Sequence, residues 1–341
     1  ANVARASKEQ MTRMLFESAA ESAPHNYAHW VSLHDFHNQV GDVEAAHQAI
    51  ITAASTAVKP ADRFVSFSKL GMHFHNQKMW SPSYESFKAA HDISADEGSL
   101  IDAHSKIQTD VQAVFLGSYL CEWDFVTSLL SDVIPQLDRM REEHLAPPMH
   151  PWVSMCLPMP PPLRLAIARG FWMQQKQHAE QLLAGKYQVR TQAQAIDQWH
   201  SEHSNTKDNQ LRRIRVGFSS ADFKQKATAY LALSVFQHLD RSRLEVFLYA
   251  STTDAGGPPS EWRESLRQSA DHLREVHDKD PVRASLMAQQ DELDIMIDLD
   301  GYSNEGIRRG ELIALRHAPV TVAWFVYMST LGNDENDYIV A

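Results

Sequence analysis

The 341-residue sequence has few of the residues on which disulfide-bonded or membrane-spanning proteins depend. Its two cysteines, Cys121 and Cys156, are too few for a disulfide framework, so we expect an intracellular protein of a reducing compartment. No run of 18 apolar residues occurs, which predicts that no segment spans a membrane. Because the first residue is Ala1 rather than Met, we expect a chain that is processed or cut from a longer protein.

Motifs of several well-known chemistries are also missing. The chain has neither a G-x-G-x-x-G nor a Walker sequence, so it offers no glycine-rich loop for a pyrophosphate. Ser219-Ser220 lies outside any G-x-S-x-G pattern, which disfavours hydrolase chemistry. The formal net charge of −11 argues against nucleic acid as the main partner.

Two patterns resemble metal sites, and in both cases the structural interpretation is preferred. His34-x-x-His37 and His73-x-His75 have no cysteine or carboxylate that completes a ligand set, so we interpret these histidines as helix-surface residues. Asp298-Leu-Asp300 could hold a metal, since alternation along a strand puts both carboxylates on one side. The favoured alternative is that Asp300 caps the following turn. We therefore predict no bound metal.

Residues 1–100 have the spacing of helical repeats. Two windows, beginning at Trp30 and Phe67, each place a leucine three residues later, at Leu33 and Leu70. A small residue follows each leucine by thirteen positions, a large one by seventeen and an alanine by twenty. This spacing is typical of tetratricopeptide repeats, in which small residues let paired helices approach closely. An ordinary pair of helical hairpins is the alternative.

Residues 101–207 are predicted to be a helical linker region without a clear repeat. Helices are predicted at 107–125, 126–141 and 163–172, because apolar residues recur there at helical spacing. Two proline-rich breaks, at 145–151 and 159–162, interrupt them, since proline cannot continue a helix. A polar stretch at 202–210 marks the predicted boundary with the next segment.

Residues 208–341 change to a pattern of alternating strands and helices. Strands are predicted at 214–218, 244–250, 272–276, 294–299 and 320–326, and helices at 228–238, 258–270, 281–290 and 307–315. This alternation predicts a doubly wound parallel sheet, a Rossmann-like α/β domain. The expected fold is thus α + α/β, and ligands should bind beyond the carboxyl ends of the strands.

The order of several motifs resembles the protein O-GlcNAc transferase family over about residues 115–341. The motifs are Cys121-Glu-Trp-Asp124, Arg215-Val-Gly-Phe-Ser-Ser-Ala-Asp-Phe223, Gly301-Tyr302, Ala318-Pro319 and Asp337-Tyr338. The resemblance implies tetratricopeptide repeats followed by two Rossmann-like halves, with a UDP-sugar cleft between the halves. It also implies transfer of an N-acetylglucosamine-like sugar from UDP to serine or threonine hydroxyls of proteins.

The same resemblance assigns candidate site residues, which are Lys226, Thr228, Tyr230, Tyr302 and Thr330 on the acceptor side of the cleft. Lys226 occupies the position at which the family has a histidine. An ammonium group is ordinarily protonated at neutral pH and is then a poor general base. The family's glycine-rich turn is replaced by Val326-Tyr-Met-Ser-Thr330, so we expect a turn of different shape.

The sequence also departs from the family by ending near the close of the first Rossmann-like half. We therefore expect residues 1–341 to be inactive alone, with UDP-GlcNAc as the donor if the second half is supplied. The alternative is a non-catalytic scaffold subunit, a pseudoenzyme of the same descent. In either case a protein partner or acceptor is expected on the helical repeats and at the open end of the sheet, near Ser219, Ser251, Asp300 and Tyr327.

Overall fold

The computed structural model describes residues 2–96, 101–185, 192–203, 212–253, 260–303, 310–324 and 326–340. The chain forms two compact units, Ala1–Glu143 and His144–Ala341, here called the helical unit and the α/β unit. Helices precede a parallel sheet, which confirms the predicted fold class. Across the described ranges, no helix is long and apolar enough to cross a membrane. The three-segment division at residues 100 and 207 stays a prediction.

The helical unit is built from seven helices within the described residues. They are α1 (Asn2–Ser22), α2 (Tyr27–Val40), α3 (Val43–Thr56), α4 (Pro60–Asn76), α5 (Trp80–Asp96), α6 (Ala103–Tyr119) and α7 (Trp123–Glu142). Consecutive helices pack on each other along the chain, as stacked helical hairpins do. Asn26 begins α2 by accepting a hydrogen bond from the Ala28 amide, and Asp42 begins α3 through the Ala45 amide.

One type of turn joins the two helices of each of three hairpins. Gly41, Lys78 and Cys121 follow α2, α4 and α6 and have left-handed φ values of 80°, 59° and 64°. The amide after each of them donates to the carbonyl five residues earlier, at 2.9, 2.9 and 2.8 Å. This pair of features closes a helix end by satisfying its last carbonyl groups. The α2–α3, α4–α5 and α6–α7 pairs are therefore three copies of one hairpin.

The third hairpin corrects the predicted helix boundary at residues 125–126. The chain leaves α6 at Leu120 and begins α7 at Trp123, so the predicted helix at 107–125 crosses a turn. Glycine or asparagine usually marks such a turn, and here the left-handed position holds Cys121. No glycine or asparagine therefore marked the turn between α6 and α7.

Close helix contacts explain the spacing that identified the first two hairpins. A Cβ atom on Gly71 would lie 2.8 Å from the ring of Phe87, so a side chain there would push α4 and α5 apart. Ser83 adds a hydrogen bond of 2.7 Å from its hydroxyl to the Gly71 carbonyl. In the first hairpin His34 stands at the place of Gly71, and its Nδ1 donates to the Ala46 carbonyl at 2.9 Å.

The interpretation of the helical histidines as surface residues is wrong. His34, His37 and His73 are only 3%, 3% and 2% exposed. They lie on the faces of α2 and α4 that pack against neighbouring helices, where their rings replace apolar side chains. Helical spacing alone could not reveal this burial, because imidazole is found both at surfaces and in interiors.

The α/β unit begins with α8 (Pro151–Cys156), α9 (Pro161–Leu183) and α10 (Gln192–His203). Prolines at 151, 161 and 162 occupy the first positions of α8 and α9, where a missing amide proton costs nothing. The predicted helix at 163–172 is therefore the first part of the longer α9. A Cβ atom on Gly332 would lie 2.6 Å from the backbone nitrogen of Arg169, so α9 directly touches the loop that contains Gly332.

The sheet strands and their helices follow in regular alternation. The strands are β1 (Ile214–Ser220), β2 (Leu244–Ala250), β3 (His272–Glu275), β4 (Ile295–Asp298), β5 (Val320–Trp324) and β6 (Tyr338–Val340). The helices are α11 (Ala227–His238), α12 (Glu261–Gln268), α13 (Pro281–Gln290) and α14 (Gly310–Ala314). All strand pairs in the described residues are parallel, in the order β3-β2-β1-β4-β5-β6. The sixth strand was not predicted.

Each face of the sheet has its own apolar core. On one face Phe218 and Leu248 pack with Phe236 of α11. On the other face Tyr249 and Met296 share a core with α9, which contributes, among others, Trp172. Covering both faces in this way is what a parallel sheet requires. α9 lies within the α/β unit.

Candidate functional site

The strand order creates a crevice between the ends of β1 and β4. The chain continues from β1 to β2 on one side and from β4 to β5 on the other, so the following turns leave in opposite directions. Doubly wound sheets bind ligands at such a point. The β1–β4 crevice is formed by residues 220–226 and 298–302, and these two turns supply the polar groups described next.

Asp300 ties the two turns of the crevice together. Its side chain is 3% exposed and accepts hydrogen bonds from the Ser220 hydroxyl at 2.6 Å and the Ala221 amide at 2.5 Å. Burial, followed by the neighbouring Asp298 carboxylate, raises the pKa of Asp300 to about 7 despite these two donors. This long-range contact corrects the interpretation of Asp300 as the cap of its own turn.

Asp298 caps that turn instead. Its carboxylate accepts hydrogen bonds from the Asp300 amide at 3.0 Å and the Gly301 amide at 3.2 Å. Burial raises the pKa of Asp298 as well. The two carboxylates of the Asp-x-Asp pattern are therefore engaged with different partners in the protein. Within the described ranges no three His, Cys, Asp or Glu side chains converge as metal ligands would.

The turn after β1 continues the same network towards α11. The Asp222 amide donates to the Ser220 hydroxyl at 2.9 Å, and its carboxylate accepts from the Thr228 hydroxyl at 2.8 Å. Thr228 is 4% exposed, so its hydroxyl serves the turn and does not face the solvent. The contact of Thr228 with a substrate stays a prediction.

Two of the predicted site residues are exposed at the beginning of α11. Lys226 is the N-terminal cap residue and has an extended backbone. Tyr230 is 44% exposed, and its ring lies 4.2 Å from that of Trp262 on α12. These two side chains lie on the same end of α11, so both can reach a molecule bound beside it. Their contact with a substrate stays a prediction.

Arg263 holds the turns after β1 and β2 in place. The side chain is 3% exposed and pairs with Glu275 at the end of β3. Its guanidinium donates to the carbonyl groups of Phe223 and of Thr252, the latter at 3.1 Å. The Thr252 hydroxyl in turn donates to the Ala221 carbonyl. A buried arginine with these partners fixes the backbone that carries Lys226.

The other predicted residues lie on the β4–β5 side of the sheet. Tyr302 is 3% exposed, packs between Phe171 and Tyr327, and donates from its hydroxyl to the Leu331 carbonyl at 2.5 Å. Burial raises the pKa of Tyr302 strongly and that of Tyr327 to about 12. Tyr302 thus supports the turn from inside and also lines a small pocket with Phe171 and Asp298, while its contact with a substrate stays a prediction.

Thr330 is half-buried, and its hydroxyl accepts from the Gly332 amide at 3.2 Å. A cleft of about 430 Å³ lies nearby, at the ends of β4 and β5. Its lining includes Asp298, Trp324, Tyr327, Met328 and Ser329. The cleft is mostly apolar, with the Asp298 carboxylate at one end, so it suits a flat or apolar part of a ligand better than a phosphate.

The end of the sheet is less open than the sequence predicted. Ser219, Ser251 and Asp300 are 6%, 6% and 3% exposed, so residues of the chain itself cover these strand ends. The expectation that these three residues face open space is wrong; Ser219, for example, lies at a small pocket that Trp172 of α9 and Tyr302 also line. Exposed apolar side chains occur further out, at Met328 and along β6.

Sequence patterns missed the roles of three residues in and around the crevice, namely Asp222, Arg263 and Asp300. Asp222 belongs to the motif Arg215–Phe223, and its position in the turn after β1 is the feature that could have identified it. Arg263 is one of many arginines on a polar helix, and its burial depends on Glu275 from another strand. The Asp300 contact joins residues 80 positions apart.

Comparison with known proteins agrees with this architecture. The family model of glycosyl transferase family 41 matches residues 120–341. A UDP-N-acetylglucosamine--peptide N-acetylglucosaminyltransferase of Caenorhabditis elegans is 29% identical over 65% of this chain and 18% of that protein. A probable enzyme of the same name, SEC of Arabidopsis thaliana, is 25% identical over 65% of this chain and 21% of that protein.

The chain spans about a fifth of the length of these two relatives. Among solved structures, a Thermobaculum terrenum O-GlcNAc transferase mutant has a TM-score of 0.46 and 18% identity. That match covers 92% of this chain and 53% of the other. The family model alone covers more than half of the chain and includes the whole described sheet. On this ground the chain belongs to glycosyl transferase family 41.

Proposed function

We propose that residues 1–341 form the acceptor side of a UDP-sugar-dependent transferase that glycosylates serine or threonine hydroxyls of proteins. The observation that carries this proposal is the family match over a sheet whose switch point forms the β1–β4 crevice. The relatives' names, which specify UDP-N-acetylglucosamine and a peptide, support the donor and the acceptor class. Stacked helical hairpins provide an extended surface on which an acceptor protein can lie.

The charges in the crevice indicate that these residues do not hold the donor diphosphate by themselves. Three carboxyl groups gather there, because Asp298 and Asp222 both act electrostatically on Asp300. They outnumber the two lysines of the same turns, Lys224 and Lys226. The buried guanidinium of Arg263 is already paired with Glu275 and two carbonyl groups. A diphosphate needs several converging donors. We therefore assign its binding to groups outside residues 1–341.

Isothermal titration of residues 1–341 with UDP and UDP-GlcNAc at millimolar concentration tests that assignment. We expect no saturable heat. The complete protein, expressed from its own reading frame, should bind the same nucleotide measurably. Saturable binding by residues 1–341 alone would contradict the assignment of the diphosphate, and failure of both proteins to bind would contradict the transferase proposal.

The role proposed for Lys226 is to contact the substrate at the beginning of α11, where the family has a histidine. Its position after the turn held by Arg263 and Asp222 supports this role. In the complete protein, Lys226→His should increase transfer of labelled GlcNAc to an acceptor protein, because imidazole is better matched to neutral pH as a general base. Lys226→Ala should not increase it.

Lys224→Ala is the matched control, since Lys224 lies in the same turn and is partly buried. Equal transfer by the wild type and by both Lys226 variants would remove Lys226 from the mechanism.

The alternative function is a non-catalytic interaction subunit of the same descent. The observation that favours it is the internal use of Thr228 and Tyr302, whose hydroxyls bond to the protein's own groups. Exposed apolar residues at Met328 and along β6 are consistent with a protein contact at that edge. Pull-down of a defined partner that persists in a protein inactive with UDP-GlcNAc would favour this function over transfer.

A further inference from the structure

Three imidazole rings meet where the first hairpin packs against the second. The ring centre of His73 on α4 lies 5.3 Å from that of His34 on α2 and 5.3 Å from that of His47 on α3. His34 and His73 are 3% and 2% exposed, and His47 is half-buried. We call these three residues the histidine cluster. It lies in the helical unit, apart from the β1–β4 crevice.

The hydrogen bonds of the cluster require neutral rings. His34 donates from Nδ1 to the Ala46 carbonyl at 2.9 Å, so its Nε2 accepts from the Asn38 amide group at 2.8 Å. His47 Nδ1 and His73 Nε2 lie 3.3 Å apart and can share one proton. The buried Nδ1 of His73 has no hydrogen-bond partner among the described residues. A second proton on His34 would therefore break the bond from Asn38, and one on His73 would add a buried charge without a partner among the described residues.

The surrounding charges do not compensate for protonation of His73. From α2 and α3 it faces His34 and His47, which both disfavour its charged form, and no acidic group acts on it among the described residues. Asp35 acts on His34 but is held by Lys69, with 2.8 Å between nitrogen and oxygen. His37 lies 3.7 Å from Asp42, outside the contact with His73. On α4 itself, His75 packs against Trp80 and Phe115.

We propose that the histidine cluster is an acid-triggered switch that loosens the packing of α2 and α3 against α4. At neutral pH the rings pack as aromatic side chains, and the junction is closed. As the pH falls, opening lets the rings take up protons that the closed junction excludes. The first hairpin then separates from the second, and the surface of the helical stack changes.

The lowered pKa values of the histidines determine the direction of the switch and the pH range in which it acts. Burial, followed by His34 and His47, lowers the pKa of His73 to about 4, and burial lowers the pKa values of His34 and His75. Because the open state binds more protons than the closed one, stability is lost as the pH falls below about 6.5, the ordinary histidine value. From His73 alone, the opening constant should rise about 30-fold between pH 7.5 and pH 5.

Hydrogen exchange of the complete chain, divided by the intrinsic rate at each pH, measures this opening constant. Amides of α2, α3 and α4 should show a rise of about 30-fold or more between pH 7.5 and pH 5. Amides of α7 serve as an internal reference and should change much less. His73→Phe should reduce the rise several-fold, since phenylalanine packs similarly and takes up no proton.

His47→Gln provides a second test at a half-buried position, should His73→Phe fail to fold. His25→Gln is the matched control, because His25 is exposed in the same unit, and it should keep the wild-type response. A wild-type rise of less than about threefold would overturn the proposal, given the expected 30-fold. So would an equal rise in α7, or an unchanged rise in both cluster variants.

Discussion

Replacing Asp300 by asparagine should remove a pH dependence that its carboxyl group imposes on the α/β unit. The carboxyl group is buried and its pKa is raised to about 7, against an ordinary value of about 3.9. Between these two values the unfolded chain has lost its proton and the folded chain has kept it. Stability is therefore highest below about pH 4 and falls as the pH rises towards 7.

The size of the effect follows from the same shift. Three pKa units correspond to about 4 kcal/mol over the whole window, and about 2 to 3 kcal/mol of this falls between pH 5 and pH 8. Asparagine has nearly the same shape. Its oxygen can accept from the Ala221 amide, as the carboxyl group of Asp300 does. Its amide group can donate to the Ser220 hydroxyl, which reverses the direction of that hydrogen bond but keeps the contact.

Hydrogen exchange of β1 and β4 amides at pH 5 and pH 8 reports on this unit directly. Asp300→Asn should gain stability relative to the wild type at pH 8 by about 2 kcal/mol more than at pH 5. Asp334→Asn is the matched control, an exposed acidic residue in the same unit, and it should not show this difference. A stability difference between Asp300→Asn and wild type that is the same at both pH values would refute the reasoning.

Two further substitutions test other contacts. Arg316→Met should cost about 3 to 5 kcal/mol in urea unfolding, because it removes the buried guanidinium that pairs with the half-buried Asp337. A cost below about 1 kcal/mol, or no recovery when Asp337→Asn is added, would contradict this. Lys78→Gly should raise the stability of the helical unit by about 0.5 to 1 kcal/mol, since glycine adopts the left-handed φ of 59° without strain. Gly41→Lys at the equivalent turn should lower the stability of the helical unit. If both substitutions raised the stability, or both lowered it, the left-handed φ would not be the cause.

Local periodicity predicted most of the elements of the α/β unit. The predicted strand at 244–250 and the predicted helix at 281–290 coincide with β2 and α13. β2 is apolar except for Glu245, and α13 is amphipathic. Turn residues flank both segments, so their structure depends on neighbouring residues in the chain. β6 has three residues, and its pairing with β5 depends on Asp337 reaching the Thr321 amide, which no local pattern reveals.

The crevice was harder to predict, because its side chains are arranged by distant contacts. Motif positions pointed to Tyr302 and Thr228, but they could not reveal that the two hydroxyls donate to Leu331 and Asp222. The histidines of α2 and α4 were placed on the surface, because helical spacing describes one helix and not the helices that cover it. In each case the missing information is the identity of the partner across the fold.

The position of α9 also depends on contacts with residues that are distant in the chain, and it affects a larger part of the sheet. Pattern reading assigned its residues to a linker, yet Trp172 shares a core with Tyr249 of β2 and Met296 of β4. Its indole nitrogen donates to Glu335 at 2.6 Å, and Lys176 pairs with the same carboxylate at 2.5 Å. The β4–β5 side of the sheet is therefore built partly by a helix about 160 residues earlier in the chain. Because α9 also packs against Tyr302 through Phe171, it supports the turn that forms one wall of the β1–β4 crevice.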